Sequence, residues 1–68
     1  MAKYYVNQAS QANGDNEVHK DGCYWLSKAI SKKFLGEFYS CSGAVTEAKK
    51  TYSKANGCAT CSPECHTS

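Results

Sequence analysis

Hydrophobic and polar positions change their period along this chain, and each change marks an element boundary. In KYYVN (Lys3 to Asn7), Tyr4 and Val6 alternate with Tyr5 in an aromatic and β-branched run, which predicts a strand. NGD (Asn13 to Asp15) supplies a turn, and NEVHK (Asn16 to Lys20) reads as the returning strand. The intervening QASQA is longer than a two-residue hairpin loop, so the pattern leaves their register open.

The period then becomes helical. CYWLSKAISKKF (Cys23 to Phe34) places Trp25, Leu26, Ala29 and Ile30 on one stripe with Ser27, Lys28 and Ser31 to Lys33 off it, predicting a short helix. FLGEFYS (Phe34 to Ser40) suits a buried strand kinked at Gly36. In SCSGAVTEAKKTYSKANG, Ser40 or Ser42 can cap and Val45, Ala48 and Tyr52 share a face. Asn56 and Gly57 offer a left-handed stop, so the pattern predicts a helix from about Gly43 to about Ala55. The tail holds the sole proline, Pro63, and is too polar to be regular. Strands and helices in this order give one α+β domain over residues 1–68.

Length changes the picture first. A chain of 68 residues buries too little apolar surface to be comfortably stable on its core alone, so a disulfide or metal staple is expected. The opening MAKYYVNQASQANGD has no apolar signal core and no segment reaches membrane-spanning length, which predicts a cytosolic chain with reduced thiols. Five cysteines cannot all pair within one chain, so metal is favoured over a disulfide framework.

The formal charge of +2 comes from eight lysines against six carboxylates, with no arginine. Arginine is the usual bidentate reader of guanine and phosphate, so sequence-specific DNA reading is disfavoured. Lys32, Lys33, Lys49, Lys50 and Lys54 could attract a phosphate backbone, although a solvated face accounts for them more simply.

Two close pairs of zinc-type ligands stand out. HKDGC holds His19 and Cys23 with a Gly22-containing gap able to turn tightly, and CATC holds Cys58 and Cys61. A tetrahedral zinc ion needs four such donors at about 2.0 to 2.3 Å. A two-residue gap lets both sulfurs face one ion while N–H groups between them bond the thiolates. A thioredoxin-type redox pair belongs at a helix N-terminus, whereas CATC follows the predicted end of a helix. Joining His19 and Cys23 to Cys58 and Cys61 also closes a loop of roughly forty residues, which an all-tail site would not.

In this order, HKDGCYWL, FYSCSGAVTEAKKTY and NGCATC, the chain resembles the Ada-like zinc-binding modules over about two thirds of its length, His19 to Cys61. That family includes the N-terminal domain of the bacterial Ada alkylation-repair protein and small domains appended to nucleases. The resemblance implies a small antiparallel sheet and two helices closed around one zinc. It does not carry over alkyl transfer: in the Ada protein four cysteines hold the ion and one of them takes the methyl group, and the position aligned with the first ligand is His19. An imidazole cannot act as that irreversible thiolate acceptor.

Cys41, Cys65 and His66 remain. Cys41 reads as a small buried hydrophobe near the helix cap. Cys65 and His66 are the alternative donors, because Cys58, Cys61 and Cys65 could share an ion with His19, Cys23 or His66 completing the shell. On the wider site, Cys65 is a spare thiol and His66 a hydrogen-bond partner to a ligand, with Glu64 close enough in sequence to orient an imidazole. No phosphate loop, nucleophile elbow or paired-carboxylate motif is present, so no catalysis is expected. The expectation is a monomeric module with a structural zinc that serves an unidentified macromolecular partner. Low-specificity nucleic-acid binding through the lysines, or a thiol redox or metal-buffering role, are the alternatives.

Overall fold

The computed structural model describes residues 1–10 and 14–67. Strand β1 is Ala2–Asn7 and β2 is Asn16–Lys20, paired antiparallel with Val6 opposite Val18 and Tyr5 opposite His19. Helix α1 is Tyr24–Lys28, β3 is Lys32–Phe38, α2 is Cys41–Lys49 and β4 is Ala55–Gly57, followed by a single 3-10 turn at Pro63–Cys65. The turn expected at NGD falls partly outside the described residues, as Gln11, Ala12 and Asn13 do; Gly14 itself adopts a positive φ of 92°.

The sheet runs β3-β1-β2-β4. It is mixed rather than wholly antiparallel, because β4 lies parallel to β2 with Asn16 opposite Ala55 and Val18 opposite Gly57. A parallel neighbour needs a long crossover, and α1, β3 and α2 together form it. No helix among the described residues is long and apolar enough to cross a membrane.

Alternation along β1 and β2 divides the molecule into two layers. Tyr4, Val6 and Val18 point to one face and pack with Cys41, Ala44 and Ala48 of α2 and with Ala55. Tyr5 points the other way and packs against a smaller cluster of Cys23, Leu26 and Cys58, with Cys61 at its edge. The α2 layer is lined largely by alanine, so it is thin and contributes modest burial.

Both helices are shorter than their patterns predict. In α1 only Leu26 is buried, Ala29 turns extended and Ile30 is fully exposed, because Lys32 is already paired with Asn7 in β3. Helix α2 begins at Cys41 and stops at Lys49, since Ala55, Asn56 and Gly57 are claimed by β2. Gly57 is therefore not a left-handed helix stop: it is a buried strand residue with a negative or extended φ. Glycine is required there by close approach, as a Cβ on it would lie 2.6 Å from Cβ of Cys65 and 2.8 Å from that residue's carbonyl carbon. The kink expected at Gly36 is present, with φ at 128° and a bulge that leaves Leu35 unpaired between Phe34 and Gly36.

Candidate metal centre

His19 and Cys23 meet because of the turn between β2 and α1. Cys23 N–H donates to the Lys20 carbonyl at 3.0 Å, and Gly22 takes the positive φ of 90° at the third position of that turn. The chain folds back, and Cys23 Sγ comes to 3.7 Å from His19 Nδ1. Cys58 is delivered by β4, whose parallel register continues into a bond from Cys58 N–H to the Val18 carbonyl at 3.0 Å. Ser62 N–H then donates to the Cys58 carbonyl at 2.8 Å, closing a turn that carries Cys61 Sγ to 3.8 Å from the same Nδ1.

One donor atom from each of His19, Cys23, Cys58 and Cys61 lies within 4.8 Å of the other three. Bond lengths of 2.0 to 2.3 Å in a tetrahedral site imply donor separations of about 3.4 to 3.8 Å. The two sulfur to Nδ1 distances already match, so the cluster is compatible with a metal ion. His19, Cys23 and Cys58 are buried, and Cys61 is partly so.

The surroundings shift His19 and Cys23 toward the protonation states that ligate, and Cys61 away from it. Burial holds the His19 imidazole below its ordinary range, keeping it neutral at pH 7. Burial pushes the Cys23 thiol up, yet hydrogen bonds from Cys61 and from the N–H groups of Leu26 and Trp25 outweigh it and bring the thiol below its usual value. Burial and the neighbouring Cys23 push the Cys61 thiol up to about 12, against a bond donated by Lys20 N–H at 3.3 Å. Without an ion the cluster shares protons among its sulfurs; a cation would replace them. Among the described residues, N–H groups of β2 and α1 donate to these sulfurs.

Glu17 is the neighbour of the cluster that ligand spacing alone does not reveal. Its Oε1 stands 3.7 Å from His19 Nε2, on the side of the ring away from the sulfurs. Two residues apart on one strand, Glu17 and His19 share a face, which is the signal the sequence did contain. Burial raises the Glu17 carboxyl, with Asp15 adding to the rise and His66 opposing it.

Cys65 and His66 do not join the cluster. Cys65 is bonded to Cys41 in a disulfide on the α2 side of the sheet. Cys65 is therefore not a spare thiol, and Cys41, buried as expected, is paired; a disulfide stands beside the His/Cys cluster, because an odd cysteine count excludes complete pairing but not a single pair beside three thiols. His66 is exposed, and its Nδ1–H donates to the Gly57 carbonyl at 3.1 Å. The carboxylate facing an imidazole is Glu17, not Glu64.

No family model, curated protein or solved structure matches the chain. Its fold and its His/Cys cluster stand on their own geometry: a small α+β domain with a four-stranded mixed sheet and two helices, one face of which gathers a histidine and three cysteines.

Proposed function

We propose that this chain is a small zinc-binding module. Its ion would be held by His19, Cys23, Cys58 and Cys61, and the domain would serve macromolecular interaction with no catalysis of its own. The observation that carries the reading is the convergence of these four donors within 4.8 Å, drawn from two turns about forty residues apart. Mixed imidazole and thiolate donors suit zinc over harder cations. Four protein donors would fill a tetrahedral shell and leave no open position for substrate, which is the signature of a structural ion. Zinc would supply a cross-link on the face of the sheet opposite the Cys41–Cys65 disulfide.

The same three thiols support a redox or metal-buffering role as the second reading, since the chain already holds one oxidised pair. Native mass spectrometry with thiol titration separates the two. A structural ion gives one zinc per chain and slow alkylation of Cys23, Cys58 and Cys61. A metal-free chain that stays folded in EDTA and reversibly forms a bond between Cys58 and Cys61 would sink the zinc reading in favour of redox.

A further inference from the structure

Beside the proposed metal centre, the side chains of Glu17, Trp25, Cys58, Ala59 and Thr60 line a cleft of about 260 Å³. Trp25 is half-exposed, yet it is not loose: its indole N–H donates to Thr60 Oγ1 at 3.1 Å, tying α1 to the loop that follows Cys58. The ring also meets Tyr24 edge-on at 5.0 Å. An aromatic wall that stays wet while held in one orientation is pre-organised for a ligand, because the ordering cost has been met in advance.

Charge says what kind of ligand. Glu17 is the one charged side chain among those lining this cleft. Its only ion-pair partner among the described residues is His19 at 3.7 Å, an imidazole that is neutral when it ligates a metal. If zinc is bound as proposed above, three thiolates and an imidazole around a divalent ion leave the centre at −1, and Cys58, one of those thiolates, also lines the cleft. Glu17 adds a second negative charge on a chain whose formal total is +2. Lys28 lines a neighbouring cleft, which Glu17, His19 and Trp25 also line, and its Nζ stands over the Tyr24 ring at 5.3 Å.

We propose that the cleft between Glu17 and Trp25 binds a cationic side chain, the ammonium of lysine or the guanidinium of arginine, presented by a partner polypeptide. The carboxylate would take the charge-assisted hydrogen bond and the indole face the cation–π contact, a pairing for which tryptophan is the best aromatic. A volume below the usual range for whole small-molecule ligands suits one side chain. The local negative charge turns a phosphate backbone away from this face.

This proposal rests on the zinc reading for part of its charge but not for its walls, and the experiment separates them. The zinc-loaded full chain would be titrated with three capped tripeptides, acetyl-Gly-Xaa-Gly-amide with Xaa as lysine, arginine or norleucine. The indole N–H resonance of Trp25, the sole tryptophan, gives the readout, and zinc content is measured on the same samples. Saturable shifts are expected with lysine and arginine, and about fivefold weaker binding with norleucine. Glu17→Gln should weaken the two cationic peptides about fivefold and leave norleucine unchanged. Should that variant lose zinc, Trp25→Leu, which alters no proposed ligand, reports instead through the Thr60 amide and should lose about fivefold for both cationic peptides. Equal binding of norleucine, or no saturable shift on a chain holding one zinc, overturns the cleft while leaving the metal reading intact. Absence of zinc overturns the metal reading, and cationic binding that persists on that sample upholds the cleft.

Discussion

Glu17 and His19 stand carboxylate to imidazole, Oε1 to Nε2 at 3.7 Å, while the other ring nitrogen of His19 faces two cysteine sulfurs at 3.7 and 3.8 Å. At 3.7 Å the carboxylate is too far for a hydrogen bond as it stands, and closing by about 0.5 Å onto Nε2–H would fix the tautomer that leaves Nδ1 to bind metal and raise its basicity. Glu17→Gln should therefore weaken zinc binding about tenfold, measured by competition with a chromophoric chelator. Unchanged affinity would show that Glu17 does not act through His19.

Acid should release the ion. The folded His19 lies below its ordinary pKa of 6.5, so the unfolded chain binds the extra proton first as pH falls. Its contribution to stability is fully present above about pH 6.5 and is lost as pH drops through the folded value. Metal binding has the same sign, because Cys61, raised to about 12 in the metal-free cluster, must give up its proton to ligate. Zinc binding at pH 7 should release at least one proton per ion, read with a weakly buffered indicator. A release of none would exclude Cys61 as a thiolate ligand.

The disulfide fastens the same tail from the other face of the sheet. Cys41 and Cys65 are separated by 24 residues, a loop whose closure stabilises by about 3 kcal/mol through the unfolded state. The double variant Cys41→Ala, Cys65→Ala should lose about that much in urea denaturation and still bind one zinc, since the cluster of His19, Cys23, Cys58 and Cys61 does not include either residue. Loss of zinc stoichiometry would show that the tail cannot seat Cys58 and Cys61 without its covalent anchor.

Gly57→Ala tests the tight approach of β4 to the 3-10 turn. The added methyl would meet Cys65 Cβ at 2.6 Å and the Ser62 carbonyl oxygen at 2.9 Å, and two of the atoms it meets are backbone. The variant should lose about 1 to 3 kcal/mol in chemical denaturation. A neutral effect would contradict the close packing of the tail on β4.

Legibility in the sequence followed how local each signal was. The strand Ala2–Asn7 was readable from alternation, Asn16–Lys20 as its return after a turn, and the sharp turn before Cys23 from Gly22. Both pairs of the His/Cys cluster lay in short spacings, so the four residues could be named before their meeting was seen. The helix ends were not readable, because the helical pattern runs on to Tyr52 while Ala55 to Gly57 is drawn into β4 by a partner strand far away in the chain. Cys41–Cys65 escaped for a related reason: cysteine connectivity is set by distance in space, and nothing local to SCSG or PECH announces it. Glu17 was legible in principle through its two-residue offset from His19, but became meaningful only once the ring's orientation was known.

The parallel seat of β4 beside β2 closes the longest loop in the sheet. β1, β2 and β3 form an antiparallel unit within the first 38 residues, whereas Ala55 must find Asn16 across some forty residues of intervening chain. That closure cost falls on the segment that carries Cys58 and Cys61, whereas His19 and Cys23 meet through a local turn only four residues long. Zinc captured by those two donors would then act as a tether that shortens the search of the tail, and the metal would speed the maturation of the domain as well as hold it once formed.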